Sequence, residues 1–335
     1  MSRRATRKGP LLRTHRITFL SIAAAFLVLA LPAVGCGGES DDATTPSTPT
    51  AAEFPPTKGQ TLAELAETIP ASKLVAAPSQ LVFEQGSNRY AFGVFTLGRK
   101  LVNDAKVALY FAPGADGKAI GPFPANVESL ETPPAYQALG SSTGEPEVAY
   151  VVPDVDLDRA GEWQIIAVFK TADGIAGTRL ASLVVGKFPE IPAAGEMPPR
   201  IHTQTADDVG GDLEKIDTRN PPDRMHEVDF ADVIGRKPVA LQFATPAFCE
   251  SRLCGPVVDI AEQVREETGE EVAFIHQEVF NDNDPGKGVR RELRAFHLET
   301  EPWMFVFDAE GKVSSRFEGA FSAEELRAAV RKAQE

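Results

Sequence analysis

The chain has 335 residues, of which 43% are hydrophobic, and its 48 acidic side chains outnumber its 34 basic ones, giving a formal net charge of −14. This acidity argues against binding to nucleic acid or to anionic lipid headgroups, because both are negatively charged. Only three cysteines are present. That number excludes a disulfide-rich scaffold and leaves anchoring, redox chemistry or one local crosslink as their uses.

The first 35 residues have the three-part layout of an export signal. Six basic residues and no acid precede an apolar run over residues 17–31, and small residues follow. The ending Ala33-Val34-Gly35-Cys36 resembles the lipobox of bacterial lipoproteins, which implies removal of residues 1–35 and lipidation of Cys36. An uncleaved membrane anchor is the alternative. Without residues 1–35 the net charge becomes −20, which does not favour binding to anionic lipid headgroups. Attachment by acyl chains does not depend on protein charge, and we expect it to hold the protein at the extracytoplasmic face of the cell membrane.

Residues 36–71 are predicted to form a flexible tether. The stretch from Gly37 to Thr57 is rich in Ser, Thr, Pro, Asp and Gly and nearly lacks large apolar residues. Such a stretch cannot bury enough surface to offset the entropy lost on ordering. The chain beyond it is long enough for two folded domains.

Residues 72–188 alternate apolar and polar residues in short runs, which indicates β-strands with one buried face. The apolar residues of three such runs are Tyr90, Phe92 and Val94; Val107, Leu109 and Phe111; and Trp163, Ile165, Ala167 and Phe169. Glycines and prolines punctuate the runs, so an antiparallel β-sandwich is predicted. The turn at residues 158–163 resembles one in bacterial immunoglobulin-like domains. The block has no Cys and no His, so we expect no metal or nucleophilic site in it.

Residues 189–224 are predicted to be a Pro-rich hinge between two domains. Prolines and acidic residues are frequent there, and the sequence has little hydrophobic periodicity. This composition is typical of a linker.

Residues 225–335 change to an α/β pattern. Two continuous apolar runs, at residues 239–244 and 272–275, predict buried parallel strands. The helix between them has an apolar face made of Val257, Ile260, Ala261 and Val264. The remaining predicted elements are a helix over 288–297, strands over 304–307 and 312–317, and a last helix with a capping box at Ser322 and Glu325. The two parallel strands and the terminal hairpin are expected to share one sheet.

Cys249 and Cys254 lie between the first strand of this block and the helix that follows it. A thiol at a helix N-terminus meets unsatisfied N–H groups and the positive end of the helix dipole, which favours its thiolate. A second thiol within reach can then resolve a mixed disulfide. Two residues five apart are about 140° apart around a helix. Either Cys249 therefore lies in the loop before the helix, or the helix start unwinds.

This order of elements, with the cysteine pair after the first strand and Pro302 before the third, resembles the thioredoxin fold. The resemblance covers the last third of the chain and includes residues 243–249, 301–303 and 308–312. It implies a redox-active disulfide between Cys249 and Cys254 and a cis peptide bond at Pro302. It also implies a substrate-binding edge formed by Glu301, Pro302 and Trp303. We expect no cofactor and no metal.

Two departures from the thioredoxin pattern affect the predicted chemistry. The thioredoxin cysteines are separated by two residues and these by four. The position after the first strand favours Cys249 as the attacking thiol, whereas the match of Cys254-Gly255-Pro256 to the family's Cys-Gly-Pro favours Cys254, and we prefer Cys249. The buried acid of thioredoxin corresponds to Gln242, which cannot accept a proton.

The sequence therefore predicts a lipid-anchored thiol-disulfide oxidoreductase outside the cytoplasm, whose partners are protein thiols or a redox partner protein. A binding or scaffold lipoprotein with a structural disulfide is the alternative from a different class. The spacing of the cysteines and the preceding Thr245-Pro246 also resemble the peroxiredoxin Q group, a thiol peroxidase. A copper-handling thioredoxin-fold protein would use His226, His276 or His297 beside the cysteines. No nucleotide-binding loop, zinc ligand set or Ser/His/Asp arrangement is evident.

Overall fold

The computed structural model describes residues 48–139, 147–249 and 253–335. The described residues belong to one compact unit. The predicted export signal and Cys36 lie outside the described residues. Within the described residues, no helix has both the length and the apolar character needed to cross a bilayer.

The N-terminal part of the described chain is built mainly from strands. Its elements are α1 (Leu62–Glu67), β1 (Leu74–Pro78), β2 (Gly86–Thr96), β3 (Lys106–Pro113), β4 (Ile120–Pro124), β5 (Asn126–Ser129), β6 (Val148–Leu157), β7 (Gly161–Thr171), β8 (Gly174–Arg179) and β9 (Leu183–Val185). All strand pairings are antiparallel. One sheet has the order β1-β2-β6-β5 and the other the order β4-β3-β7-β8, with β9 paired to β7.

The two sheets share one hydrophobic core, and we call residues 74–185 the two-sheet region. The ten residues predicted to face inward are all buried in this core: Tyr90, Phe92, Val94, Val107, Leu109, Phe111, Trp163, Ile165, Ala167 and Phe169. The alternation of apolar and polar residues thus identified the inner faces of β2, β3 and β7, as expected for strands with one face in a core. The immunoglobulin-like assignment stays a prediction.

The tether predicted for residues 36–71 differs from the structure over its described part. Residues 62–67 form α1, which begins at Thr61 with a capping box completed by Glu64. Leu62 and Leu65 are buried, and with Phe54 they pack on the outer face of β3 and β7. These apolar contacts help to hold the segment against the sheet, although its overall composition is that of a linker.

The elements after residue 225 form a separate sheet with helices on it. They are α2 (Phe230–Val233), β10 (Val239–Ala244), α3 (Cys254–Thr268), β11 (Ala273–Glu278), α4 (Arg291–Ala295), β12 (Trp303–Phe307), β13 (Val313–Glu318) and α5 (Ala323–Ala333). The strand order is β11-β10-β12-β13. β10 and β11 are parallel, whereas β12 is antiparallel to both of its neighbours. A βαβ unit followed by a β-hairpin and a helix in this order is a thioredoxin-like domain, as the sequence predicted.

Both faces of the thioredoxin-like sheet are covered. The helices α3 and α5 pack on one face through apolar residues that include Val257, Ile260 and Leu326. An aromatic core that includes Phe243, Phe305 and Phe307 lies on the other face. The capping box predicted at Ser322 and Glu325 is confirmed at the start of α5.

Residues 189–224, which the sequence predicts to be a hinge, pack against the thioredoxin-like domain along their length. Ile191, Ile201 and Ile216 are buried, and the first two belong to the aromatic core. The backbone of Val313 in β13 exchanges hydrogen bonds of 2.8 and 2.9 Å with Gly195 and Glu196. The apolar contacts have no regular period in sequence, which is why a periodicity analysis does not detect them.

The two-sheet region and the thioredoxin-like domain also contact each other directly. The guanidinium of Arg89 in β2 binds Glu325 of α5 at 2.6 Å and the carbonyl of Ala320 at 2.8 Å. One carboxylate oxygen of Glu318 accepts the N–H groups of Leu81 and Val82, both at 2.8 Å. These contacts fix the two regions against one another instead of leaving them on a flexible linker.

Candidate active site

Cys249 and Cys254 form a disulfide with their Cα atoms 6.0 Å apart. β10 is fully buried, and the chain leaves its C-terminal end in a turn that precedes Cys249. Cys254 is the first residue of α3. Pro256 lies in the first turn of that helix, where its missing N–H breaks no hydrogen bond. Two residues five apart cannot lie on one helical face, and the structure has the first of the two predicted arrangements, with Cys249 in the loop before the helix.

The two sulfurs have different surroundings. Cys254 is 0% exposed, whereas Cys249 is partly exposed. The backbone N–H of Cys254 donates to Sγ of Cys249 at 3.3 Å. This N–H belongs to the unsatisfied first turn of a 15-residue helix, so the helix N-terminus would stabilise negative charge on Cys249 after reduction. Accessibility and electrostatics both favour Cys249 as the reacting thiol.

The loop that leads to Cys249 is anchored through a buried carboxylate. The hydroxyl of Thr218 accepts the N–H of Ala247 at 3.1 Å and donates to Glu278 at 2.5 Å. The N–H of Thr218 also donates to Glu278, at 2.8 Å. Glu278 is 0% exposed at the end of β11. Sequence reasoning missed Thr218, because it lies in the segment that was interpreted as a hinge.

The three predicted substrate-binding residues, Glu301, Pro302 and Trp303, differ in exposure. The Glu301–Pro302 peptide bond is cis, and Trp303 pairs with Phe243 near the end of β10, so this segment lies at the end of the sheet from which the Cys249 loop begins. Glu301 is partly exposed. Trp303 is only 1% exposed and stacks on Phe305 with ring centroids 5.4 Å apart. The Trp303 side chain therefore belongs to the core, and the substrate-binding role predicted for this position stays a prediction.

One exposed aromatic residue precedes the disulfide directly. Phe248 is 40% exposed, and its ring meets that of Phe280 edge-on with centroids 6.3 Å apart.

Gln242 is completely buried in β10, between His276 of β11 and Met304 of β12 in the strand register. Neither atom of its amide has a hydrogen-bond partner among the described residues. Because an amide cannot accept a proton, this position cannot assist thiol chemistry as a carboxylate would.

A buried cluster of titratable side chains lies on the same face of the sheet as Gln242. Its members are Asp217, Asp223, His226 and His276. His276 bonds Asp223 through Nδ1 at 2.7 Å and the carbonyl of Ala244 through Nε2 at 3.1 Å. Burial alone would lower the pKa of His276, but the charge and hydrogen bond of Asp223 hold that pKa above its ordinary value. The same contact lowers the pKa of Asp223, which burial alone would raise.

The histidines considered for copper binding do not come together around the cysteines. His226 and His276 meet in the buried cluster, with ring centroids 5.4 Å apart, whereas His297 is exposed after α4. Within the described residues, neither cysteine belongs to a group of three or more ligand-type side chains.

Comparison with known proteins supplies only distant similarity. No family model and no curated protein matches the chain. A thioredoxin-family thiol:disulfide interchange protein from Chlorobium tepidum TLS is similar at 19% identity, over 42% of this chain and 97% of that one, with a TM-score of 0.29. The structure of MTB dsbF in its mixed oxidized and reduced forms is similar at 18% identity, over 41% of this chain and 100% of that one, with a TM-score of 0.28.

A filamin domain of Lin-41 is also similar, at 10% identity over 34% of this chain and 93% of that one, with a TM-score of 0.19. All these TM-scores are too low to assign a fold. The thioredoxin-like assignment rests on the order and direction of β10–β13.

Proposed function

We propose that the chain is a thiol-disulfide oxidoreductase that works outside the cytoplasm. The observation that supports this best is the position of the disulfide, with the partly exposed residue Cys249 placing its sulfur at the N-terminus of α3 and its partner Cys254 buried. A disulfide that serves only as a crosslink has no need of one accessible sulfur on a helix N-terminus. Reactive cysteines occupy such positions because the thiolate is the nucleophile.

The exchange we propose has two steps. A thiolate of the partner attacks Sγ of Cys249, the Cys249–Cys254 bond breaks, and Cys254 leaves as a thiolate that takes up a proton. A second partner thiolate then attacks the partner's sulfur in the mixed disulfide and releases Cys249 as a thiolate. The Cys249 thiolate takes up the second proton, so the partner loses two electrons and two protons to become a disulfide and the protein becomes a dithiol. The reverse sequence reduces a partner disulfide.

We further propose an extended polypeptide as the partner. Glu301 and the backbone before β12 lie at the end of the sheet where β10 finishes and the Cys249 loop begins, and Phe248 offers an apolar contact beside Cys249. An extended chain can pair with the backbone of this segment through hydrogen bonds, with side-chain contacts supplying selectivity.

The cellular location is part of the same proposal. Residues 1–35 and Cys36 have the pattern of a lipoprotein signal, which would anchor the protein to the outer side of the cell membrane by acyl chains. Disulfides persist in compartments outside the cytoplasm. A protein thiol or redox partner at the membrane surface is therefore the proposed substrate, and nucleic acid is not.

Single-cysteine variants test the chemistry. Cys254→Ser leaves Cys249 without a resolving thiol, so on incubation with insulin, which carries disulfides, it should accumulate a mixed disulfide through Cys249. Cys249→Ser is the matched control and should trap little, because Cys254 is buried. Mass spectrometry of both variants measures the adduct. If folded Cys254→Ser forms no adduct, the oxidoreductase proposal fails, and a binding protein with a structural disulfide replaces it.

A further inference from the structure

A buried group of metal-binding side chains lies away from the cysteines. Asp217, Asp223, His226 and His276 each offer one ligand atom, and these atoms all lie within 4.8 Å of one another. The four side chains are at most 2% exposed. They come from three stretches of chain, namely the segment before the thioredoxin-like domain, the start of that domain, and β11.

We propose that these four side chains bind one zinc ion. Two imidazoles and two carboxylates are ligands that Zn²⁺ accepts, and a closed four-ligand site without water is typical of structural zinc. The dication would balance the two carboxylates, which burial in a core otherwise makes costly.

Hydrogen bonding does not account for the buried position of the His226 ring. Neither of its ring nitrogens has a hydrogen-bond partner among the described residues. Nε2 nevertheless lies 3.4 Å from an oxygen of Asp217 and 3.4 Å from an oxygen of Asp223. Ligands about 2.1 Å from a tetrahedral zinc are about 3.4 Å from one another. The position of Nε2 therefore suits a shared ion better than a direct hydrogen bond.

His276 is already oriented for the same role. The carbonyl of Ala244 can only accept, so the 3.1 Å contact identifies Nε2 of His276 as the atom that carries hydrogen. Nδ1 then points at the carboxylates, 2.7 Å from Asp223 and 3.8 Å from Asp217. Without metal a proton bridges Nδ1 and Asp223, and zinc in its place would move these two atoms apart, from 2.7 Å to about 3.4 Å. A backbone carbonyl that holds the distal nitrogen of a ligating histidine is a common outer-shell contact.

The carboxylates are held by backbone groups. Asp217 accepts the N–H of Arg219 at 2.8 Å and that of Asp223 at 2.6 Å. Asp223 accepts the N–H of Met225 at 2.8 Å. The loop from 217 to 226 is thus shaped so that three ligands face β11. Bound zinc would join this loop to the sheet beside Ala244, the last residue of β10, and so support the base of the Cys249 loop.

The metal content of the full-length protein tests the site. Protein purified without chelator and dialysed against Zn²⁺ should retain about one zinc ion per chain, measured by inductively coupled plasma mass spectrometry. His226→Ala and Asp217→Asn should each lose it. His202→Ala is the matched control, since His202 also pairs with an aspartate, at 2.6 Å, but is exposed, and it should keep the zinc.

Cobalt substitution keeps the proposal testable if the variants fail to fold. The wild-type chain with Co²⁺ in place of zinc should show the intense visible absorption of tetrahedral cobalt, and a chelator that removes the ion should lower the melting temperature. Wild-type protein that retains no zinc, or retains it equally after Asp217→Asn, would overturn the proposal. Stoichiometric binding of a different metal in preference to zinc would overturn it as well.

Discussion

The two-sheet region and the thioredoxin-like domain bury different kinds of side chain. Within the described residues, the buried polar side chains of the two-sheet region are Gln80 and Thr132, neither of which is charged. The buried Asp, Glu, Arg and His side chains all come after residue 216, and they include Asp217, Arg219, Asp223, His226, Asp259, His276 and Glu278. Burying charge is costly unless each group is paired.

This difference suggests different roles for the two regions. The two-sheet region has an almost purely apolar core, which favours a rigid support. The thioredoxin-like domain and the segment before it place paired charges around the ends of β10 and β11, next to the disulfide loop. Buried ionisable groups cluster at functional sites more often than elsewhere, so the polar part of the molecule is where function should be sought.

The chain has two tryptophans, one in each region, which allows the comparison to be measured. Trp163 lies in β7 and Trp303 in β12, and both are buried. Replacing one by Phe leaves a fluorescence signal from the other region alone. Unfolding in denaturant can then be followed separately in the two regions.

Truncation in the apolar core should have the largest effect on stability. Phe111 is 0% exposed, with ring centroids 5.6 Å from Tyr90 and 5.8 Å from Phe123. Phe111→Ala should lower the free energy of unfolding by about 3–5 kcal/mol because it leaves a cavity. The Cys249–Cys254 reduction potential should not change, whereas a change of potential would show that the two-sheet region takes part in the chemistry. Leu97→Ala, at a position 72% exposed, is the control.

Breaking the buried ion pair of the polar region should come close to that effect. Arg219 and Asp259 have side chains 5% and 3% exposed and approach to 2.9 Å. Asp259→Asn should cost about 3–5 kcal/mol of unfolding free energy, because it leaves Arg219 buried and without its counter-charge. The exposed pair of Arg159 with Asp158 in the two-sheet region is the control, and Asp158→Asn should produce no measurable change. Equal losses of unfolding free energy in the two variants would contradict the proposed difference between the buried and the exposed ion pair.

The Cys249 loop should respond to loss of its anchor. Thr218→Val removes the hydroxyl that joins Ala247 to Glu278 and should cost about 1–2 kcal/mol, because a buried carboxylate loses a donor. Reduction of the disulfide by dithiothreitol should also become faster as the loop loosens. Thr171→Val, which removes an exposed hydroxyl bonded to Gly174, should change neither quantity. An unchanged reduction rate in Thr218→Val would show that the anchor does not hold the loop.

The smallest expected effect depends on pH. Burial alone would raise the pKa of Glu262 in α3, but hydrogen bonds from Arg265 and Arg224 outweigh it and lower the pKa below its ordinary value of 4.5. Its stabilisation is therefore present above that ordinary value and is lost as the pH falls towards the lower, folded-state pKa. Glu262→Gln should cost about 1 kcal/mol at neutral pH and should flatten the acid side of the stability curve.

Glu266→Gln is the matched control for this pH effect. Glu266 contacts the same two arginines, at 3.0 and 3.3 Å, but its side chain is 49% exposed. Water and salt screen such a pair, so we expect a change of only a few tenths of a kcal/mol. A larger loss in Glu266→Gln than in Glu262→Gln would contradict the role assigned to burial.

Local patterns predicted the parts of the molecule whose order is local. Alternation identified the inner faces of β2, β3 and β7, and the two apolar runs with the helix between them identified the thioredoxin-like order. The packing of residues 189–224 was not predicted because their contacts are with distant residues, as in the pairing of Arg219 with Asp259. The capping box at Thr61 and Glu64 with Leu62 and Leu65 was a usable signal for α1. The burial of the Trp303 side chain was not evident from the sequence, because a motif position does not reveal burial.

The reduction potential of the Cys249–Cys254 disulfide tests the central claim most directly. It can be measured on the full-length protein in glutathione buffers of graded composition, by counting free thiols. A catalytic disulfide with its accessible sulfur at a helix N-terminus should have a potential between about −270 and −120 mV, the range of proteins that exchange disulfides. A potential below about −300 mV, as in structural disulfides, would contradict the proposed function.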